Sequence, residues 1–467
     1  MKRRNFLIAT GVVGVGFVGL RILTRKNSAN KTVAPEATPA PAIPGYGALV
    51  KDKDGILHLP EGFSYKIISR KGEKMADGLL LPGLPDGMAA FAAANGKVIV
   101  VRNHEISPIS VPLGAFGEKL ELLNVLKPAD FYDFGKGKNP SMGGTSTFVY
   151  NEETGAIEKQ YLSLAGTNRN CAGGRTPWNS WLTCEEDVAT KKDNIEKNHG
   201  FVFEVPASIE IARAKPEPIK AMGRFNHEAV CVDPKSGIVY LTEDRPDSLL
   251  YRFIPNEKGN LHAGGKLQAL VVKDAPARDT RNWGENGAAD FLSNTPVAVA
   301  WIDMDNVEAP DDDLRQRGFK NGAALFARGE GVWFDKNEFY FACTSGGKIQ
   351  KGQVFKYALS ADEGNAGETA QPAHLELFVE STNPDILKYC DNLTVSPWGD
   401  LMLCEDDMHP FLVGVTPQGE LYHFAEGAKY QTEFAGACFS PSGKTMFVNI
   451  QGEGLTIAIT GPWKQAV

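Results

Sequence analysis

The sequence predicts an all-β chain, a six-bladed β-propeller with inter-blade insertions, on two observations. Six segments share one shape: an apolar strand, a short turn rich in Asp, Pro, Asn and Gly, and a second apolar strand that ends in polar or acidic residues. Glycine (49) and proline (28) are frequent among the 467 residues, which suits many short elements joined by turns. Helical signals are sparse and confined to insertions such as residues 206–214. A β-sandwich, the second choice, would show more regular short spacing.

The second strands of the six hairpins cover residues 98–101, 181–184, 238–242, 339–343, 401–404 and 446–450. The turns before them contain Gly96, Asn179, Gly237, Asn337, Gly399 and Gly443. The shortest interval, from Gly399 to Gly443, matches one four-stranded blade, and the longer ones leave room for insertions.

Residues 1–30 read as a targeting segment. Arg3-Arg4-Asn5-Phe6-Leu7 resembles a twin-arginine export signal, and a glycine-rich apolar run follows to Leu20. That run is shorter than the roughly 20 residues a spanning helix needs. No clear Ala-x-Ala cleavage site follows it, so an uncleaved anchor is the alternative. Residues 31–44 form a stiff Pro/Ala-rich linker, and 45–467 a single propeller domain. The expected location is periplasmic or secreted, attached to a membrane only if the first segment is retained.

Net charge is −8, and the basic residues of the first 36 positions make the rest of the chain more acidic still. That balance argues against a nucleic-acid partner. The seven cysteines contain no C-x-x-C pair. Cys184, Cys231, Cys343, Cys404 and Cys438 lie in apolar runs and read as small buried hydrophobes. Cys171 sits instead in the polar, glycine-flanked run Asn168-Arg169-Asn170-Cys171-Ala172-Gly173-Gly174, as a candidate ligand or nucleophile.

In a hairpin the first strand starts where the second ends. The starts carry Asp86, Cys171, Glu228, Arg328, Glu330 and Asp391, and the ends carry Glu105, Glu185, Glu186, Glu243, Asp244, Glu405 and Asp406. Equivalent blades would bring all of these to one mouth of the channel. So many carboxylates repel one another unless cations compensate them. Oxygen donors suit Ca²⁺ or Mg²⁺, and a thiolate among them adds a softer, transition-metal position. Arg328 is a candidate anion clamp, because a guanidinium matches a phosphate bidentately. His104 and His227 read as supporting rather than ligating residues. H-E-x-x-H, G-x-x-x-x-G-K-[ST] and G-x-S-x-G motifs are absent from the sequence.

Arg102-Asn103-His104-Glu105, Asn170-Cys171-Ala172-Gly173-Gly174 with Trp181-Leu182-Thr183-Cys184-Glu185-Glu186, His227-Glu228-Ala229, Glu243-Asp244, Glu330-Gly331-Val332-Trp333, and Asp391-Asn392-Leu393 with Glu405-Asp406 resemble the PhoX-type alkaline phosphatases. The likeness runs from about residue 45 to the C-terminus, and its most specific part lies over residues 171–186. The resemblance implies a phosphomonoesterase on a six-bladed propeller, exported by the twin-arginine machinery, with Ca²⁺ and Fe³⁺ in the mouth. It implies that Cys171 binds iron, that Glu186, Glu228, Glu330 and Asp391 bind metal, and that Arg328 binds phosphate. Glu105, Glu243 and Glu405 fall in family-like motifs and are further metal candidates. Small phosphorylated organic molecules are the implied substrates, and a monomer is expected. The chain is short for that family, and Asn449-Ile450-Gln451-Gly452-Glu453-Gly454 replaces its usual glutamine-histidine-proline-glycine run. Residue chemistry alone leaves open another metal-dependent propeller hydrolase, of lactonase or phytase type, and a non-catalytic binding propeller.

Overall fold

The computed structural model describes residues 44–192, 195–284 and 289–465. The targeting segment and nearly all of the linker fall outside these residues. Each of the six hairpins forms. Their first strands are Pro85–Ala92, Asn170–Arg175, His227–Val232, Gly329–Asp335, Cys390–Val395 and Phe434–Phe439. Their second strands are Lys97–His104, Ser180–Glu185, Val239–Glu243, Glu338–Cys343, Leu401–Glu405 and Thr445–Ile450, all paired antiparallel with the first. Ser180–Glu185, Val239–Glu243, Leu401–Glu405 and Thr445–Ile450 are buried along their whole length. Strands covered on both faces read as unbroken apolar runs, which is why the second strands stand out in the sequence.

The architecture is all-β and propeller-like, but hydrogen bonding delimits five sheets rather than six separate blades. The difference arises at Val297–Asp303. This strand pairs on one side with Gly265–Val272, the outer strand of the third meander. On the other side it pairs with His374–Glu380, the outer strand of the fourth, through Val297 and Ala298 alone. Two meanders thereby merge into one nine-stranded sheet. Residues 206–214 are not helical; the one α-helix among the described residues is Leu314–Lys320. No helix among these residues is long and apolar enough to cross a membrane.

Each first strand lies against the next, and the sixth returns to the first. The third residue of each is small or short: Gly87, Ala172, Ala229, Gly331, Asn392 and Gly436. A Cβ at Gly331 would come within 2.7 Å of the Leu393 nitrogen and 2.8 Å of Asn392 Cα. One at Gly87 would come within 2.6 Å of Ala172 Cα. The ring is closed by chain ends far apart in sequence. Ser64–Arg70 pairs with Leu455–Thr460, so an N-terminal strand completes the sheet of the last hairpin. Polar side chains of second strands tie each to the first strand of the next hairpin. Asn103 Nδ2 donates to the Cys171 and Ala172 carbonyls (3.1 and 2.7 Å), and Asn449 Nδ2 to that of Asp86 (2.7 Å).

Because the neighbour at Gly331 is main chain, Gly331→Ala must displace a strand rather than a side chain. We expect a loss of about 1–3 kcal/mol, read as a lower urea midpoint at unchanged m-value. An unchanged midpoint would mean that the inner strands are less crowded than described.

Candidate metal centre

One local geometry recurs where each first strand begins. The backbone N–H that follows the second strand donates to the carbonyl that precedes the first. Glu105 donates to Leu84, Glu186 to Arg169, Asp244 to Asn226, Thr344 to Arg328, Asp406 to Tyr389 and Gln451 to Glu433, at 2.9–3.3 Å. A β-bulge then interrupts each hairpin within the first five residues of the first strand. Bulges re-aim side chains beside functional sites. The second residue of the strand is Asp86, Cys171, Glu228, Glu330, Asp391 or Ala435 in turn. Five of these six bear a ligating group, and they gather with the residues after the second strands.

The gathered atoms form four overlapping trios, each with its ligating atoms within 4.8 Å of one another. They are Asp86, Glu105 and Cys171; Cys171, Glu186 and Glu228; Glu228, Glu330 and Asp391; and Asp391, Asp406 and Glu433. Cys171 is shared by the first two, Glu228 by the middle two, and Asp391 by the last two. The donor set therefore grades from two sulfur-containing corners to two all-oxygen ones.

Burial and mutual repulsion dominate the electrostatics. Burial first, then the Glu330, Asp391, Glu186 and Asp86 charges, push the Glu228 carboxyl well above its ordinary range. Asp86 and Glu330 are raised in the same way, by burial and then by neighbouring acids. Burial lifts Glu186 too, against the pull of Arg169. Burial and then Asp406 bring Asp391 up to about 7, and burial with Asp406 and Asp391 brings Glu433 up to about 11. The Cys171 thiol is pushed up by burial and then by the carboxylates around it. Both Glu228 oxygens and Asp86 Oδ1 are buried without a hydrogen-bond partner among the described residues. Acceptors left orphaned inside a crowd of like charges are costly unless a cation completes them. The residues present fit metal ions: hard oxygen donors at one side, a sulfur donor at the other.

Two arginines brace the rim. Arg169 donates to Glu105 (3.0 and 2.6 Å) and Glu186 (2.6 Å). Arg328 donates to Asp244 (2.8 and 3.1 Å) and Glu330 (2.8 Å). Each neutralises two acids of neighbouring hairpins.

Of the predicted site residues, Cys171, Glu105, Glu186, Glu228, Glu330 and Asp391 come together, with Arg328 beside them. Glu243 and Glu405 stand outside the trios. Glu243 accepts from Tyr251 Oη (3.1 Å) and Arg315 (3.4 Å), and Glu405 from the backbone N–H groups of Lys388 and Phe411 (2.8 and 2.9 Å). Successive strand residues point to opposite sides, so it is the next residue, Asp244 or Asp406, that faces the other acids. His104 and His227 are buried on backbone carbonyls, Gly83 and Gly223, and belong to no trio. Sequence reasoning did not assign Asp86 or Asp406 as ligands, and it missed Glu433 and Arg169 altogether. Glu433 stands before its strand as Arg328 stands before Gly329, a correspondence that could have been counted back from the turn at Gly443. The five cysteines read as hydrophobes are all buried. At the opposite end of the first strands a cavity of about 320 Å³ is lined by Phe91, Arg175, Val230, Trp333 and Pro441, with no such gathering of acids.

The family described as alkaline phosphatase PhoX matches residues 44–125 and 141–454. Among solved structures, Pseudomonas fluorescens PhoX in complex with vanadate, a transition state analogue, superimposes with a TM-score of 0.62 at 16% identity. The match covers 87% of this chain and 96% of that one. XC5397, a gluconolactonase from Xanthomonas campestris, gives 0.39 at 12% identity, over 90% of this chain and 98% of that one. No curated protein sequence matches the chain.

An acid whose pKa is higher in the folded than in the unfolded chain makes the folded chain hold more protons between the two values. Stability then falls as pH rises through that window. For Asp391 the window runs from its ordinary 3.8 to about 7. Chelator-treated protein should therefore have a lower urea midpoint at pH 8 than at pH 5, and added divalent cation should remove most of that slope. A flat profile in the chelated protein would show that the acids are compensated by other means.

Proposed function

The chain belongs to the alkaline phosphatase PhoX family and is a phosphatase, and from that premise we propose that it releases inorganic phosphate from phosphate monoesters at the acidic mouth. One observation carries the reading: four ligand trios, linked by the shared members Cys171, Glu228 and Asp391, meet where the hairpins begin. We read the nine-stranded sheet as two blades fused through Val297–Asp303, which makes the propeller six-bladed.

We assign iron to the two corners that share Cys171, and calcium to the all-oxygen corners around Glu228, Glu330, Asp391, Asp406 and Glu433. The sulfur donor and the oxygen sets support this division. When bound, the metals supply charge neutralisation for the phosphoryl group and activation of the attacking oxygen. The rest falls to the chain. Cys171 would serve as a thiolate ligand rather than as the attacking group. Arg328, held in place by Asp244 and Glu330, offers its remaining NH₂ group to the phosphoryl oxygens and offsets the charge that grows on them in the transition state. Asn103 positions Cys171 by holding the two carbonyls at that bend. Substrates are small phosphorylated organic molecules. We place the enzyme outside the cytoplasm as a monomer, exported through the twin-arginine machinery and retained at the membrane only if residues 1–30 stay attached.

Purified protein should hydrolyse p-nitrophenyl phosphate and leave a lactone untouched, and a chelator should abolish the activity. Cys171→Ala should lower kcat by at least about 100-fold, the upper range for disturbing a metal's surroundings, and should strip the transition metal on elemental analysis. Full activity with unchanged metal content in that variant would remove Cys171 from the centre.

A further inference from the structure

Arg169 and Arg328 are equivalent residues. Each immediately precedes a first strand, each has left-handed backbone (φ 43° and 56°), and each offers its carbonyl to the residue after the second strand. Their side chains are bonded alike. In both, Nε and Nη2 are engaged by two carboxylates, while Nη1 makes no hydrogen bond with any described residue. Both side chains are about one-third exposed (38% and 31%), although the acids they hold are largely buried. The Asp244 carboxyl in turn stands beside that of Glu186. One continuous chain therefore runs Glu105, Arg169, Glu186, Asp244, Arg328, Glu330, with a guanidinium on either side of its centre.

Resting on the phosphatase reading, we propose that Arg169 is a second substrate-binding arginine, and that the Arg169–Arg328 pair selects phosphate monoesters over diesters. Each guanidinium keeps one NH₂ group for a ligand while its other edge is fixed by carboxylates. A preorganised donor of that kind binds an oxyanion without first being ordered. A monoester dianion presents three non-bridging oxygens, enough for one arginine on each side and one oxygen left for the centre between them. A diester has two non-bridging oxygens, a single charge, and a second organic group where the third oxygen would lie. With one of its two oxygens on the centre, it can satisfy one arginine but not both.

The test compares Arg169→Met and Arg169→Lys with wild type, using p-nitrophenyl phosphate, bis-p-nitrophenyl phosphate and inorganic phosphate as inhibitor, with metal content measured on the same samples. If wild type itself fails on p-nitrophenyl phosphate, the phosphatase reading fails. If wild type is active, both variants should keep their metals. Arg169→Met should raise KM for the monoester and Ki for phosphate by about 10–100-fold, as expected for losing a charge-assisted pair of about 1.5–3 kcal/mol. Its kcat/KM for the diester should move by less than about threefold, so that monoester preference collapses. Arg169→Lys should fall between, having the charge without the fork. Unchanged phosphate affinity in metal-replete Arg169→Met overturns the proposal. So does an equal loss on both esters, and so does loss of metal from both variants, which would make Arg169 only a positioning residue for Glu105 and Glu186.

Discussion

The constraint on which the rest depends is the burial of mutually repelling carboxylates around one sulfur. Glu228 has no exposed surface, no hydrogen-bond partner for either oxygen among the described residues, and acids on several sides. The acids are brought together by backbone features that would persist whatever side chains they carried. A folded chain that holds such a group must bind protons or cations there, and the oxygen and sulfur donors suit cations. The centre is thus a consequence of architecture, and its chemistry a consequence of which residues occupy six equivalent places.

Those places are defined by the main chain. The hydrogen bond from the residue after the second strand to the residue before the first, and the bulge that follows, recur in all six hairpins. Small third residues let the strands approach, and Asn103 and Asn449 fix a ligand-bearing strand through its carbonyls rather than its side chain. The ligating groups are therefore held through their own strands' backbones, which is the kind of support a site needs if its geometry is to survive without bound ions.

Variation among the equivalent places gives the site its direction. One side carries the thiol, the other only oxygens. Two of the six positions before the first strands hold arginines, each bonded to carboxylates of two hairpins and each with one NH₂ group that bonds no described residue. Both guanidiniums are more exposed than the acids they hold. The sixth hairpin departs most, with Ala435 where the other five bear an acid or the thiol, and Gln451 where only the fourth, with Thr344, also lacks an acid. There Glu433 takes part instead, and Gln451 donates to Asp86 and Glu105 (2.6 and 2.9 Å).

The sequence by itself determined the six hairpins, because strands buried on both faces must be apolar throughout and their turns need residues that tolerate left-handed backbone. Equivalent strand ends also put Cys171, Glu186, Glu228, Glu330 and Asp391 at one mouth, and the family resemblance singled them out from the other polar residues there. Only the tertiary structure decided which member of each acidic pair faces the centre. Glu243 and Glu405 caught the eye, yet the pleat turns them into their own sheets and presents Asp244 and Asp406, a phase that a bulge makes unreadable from spacing. Only the tertiary structure, too, showed Val297–Asp303 joining two meanders, and Glu433 and Arg169 reaching the mouth. Each depends on which distant segments lie side by side, and that is a property of ring closure, which no local pattern encodes.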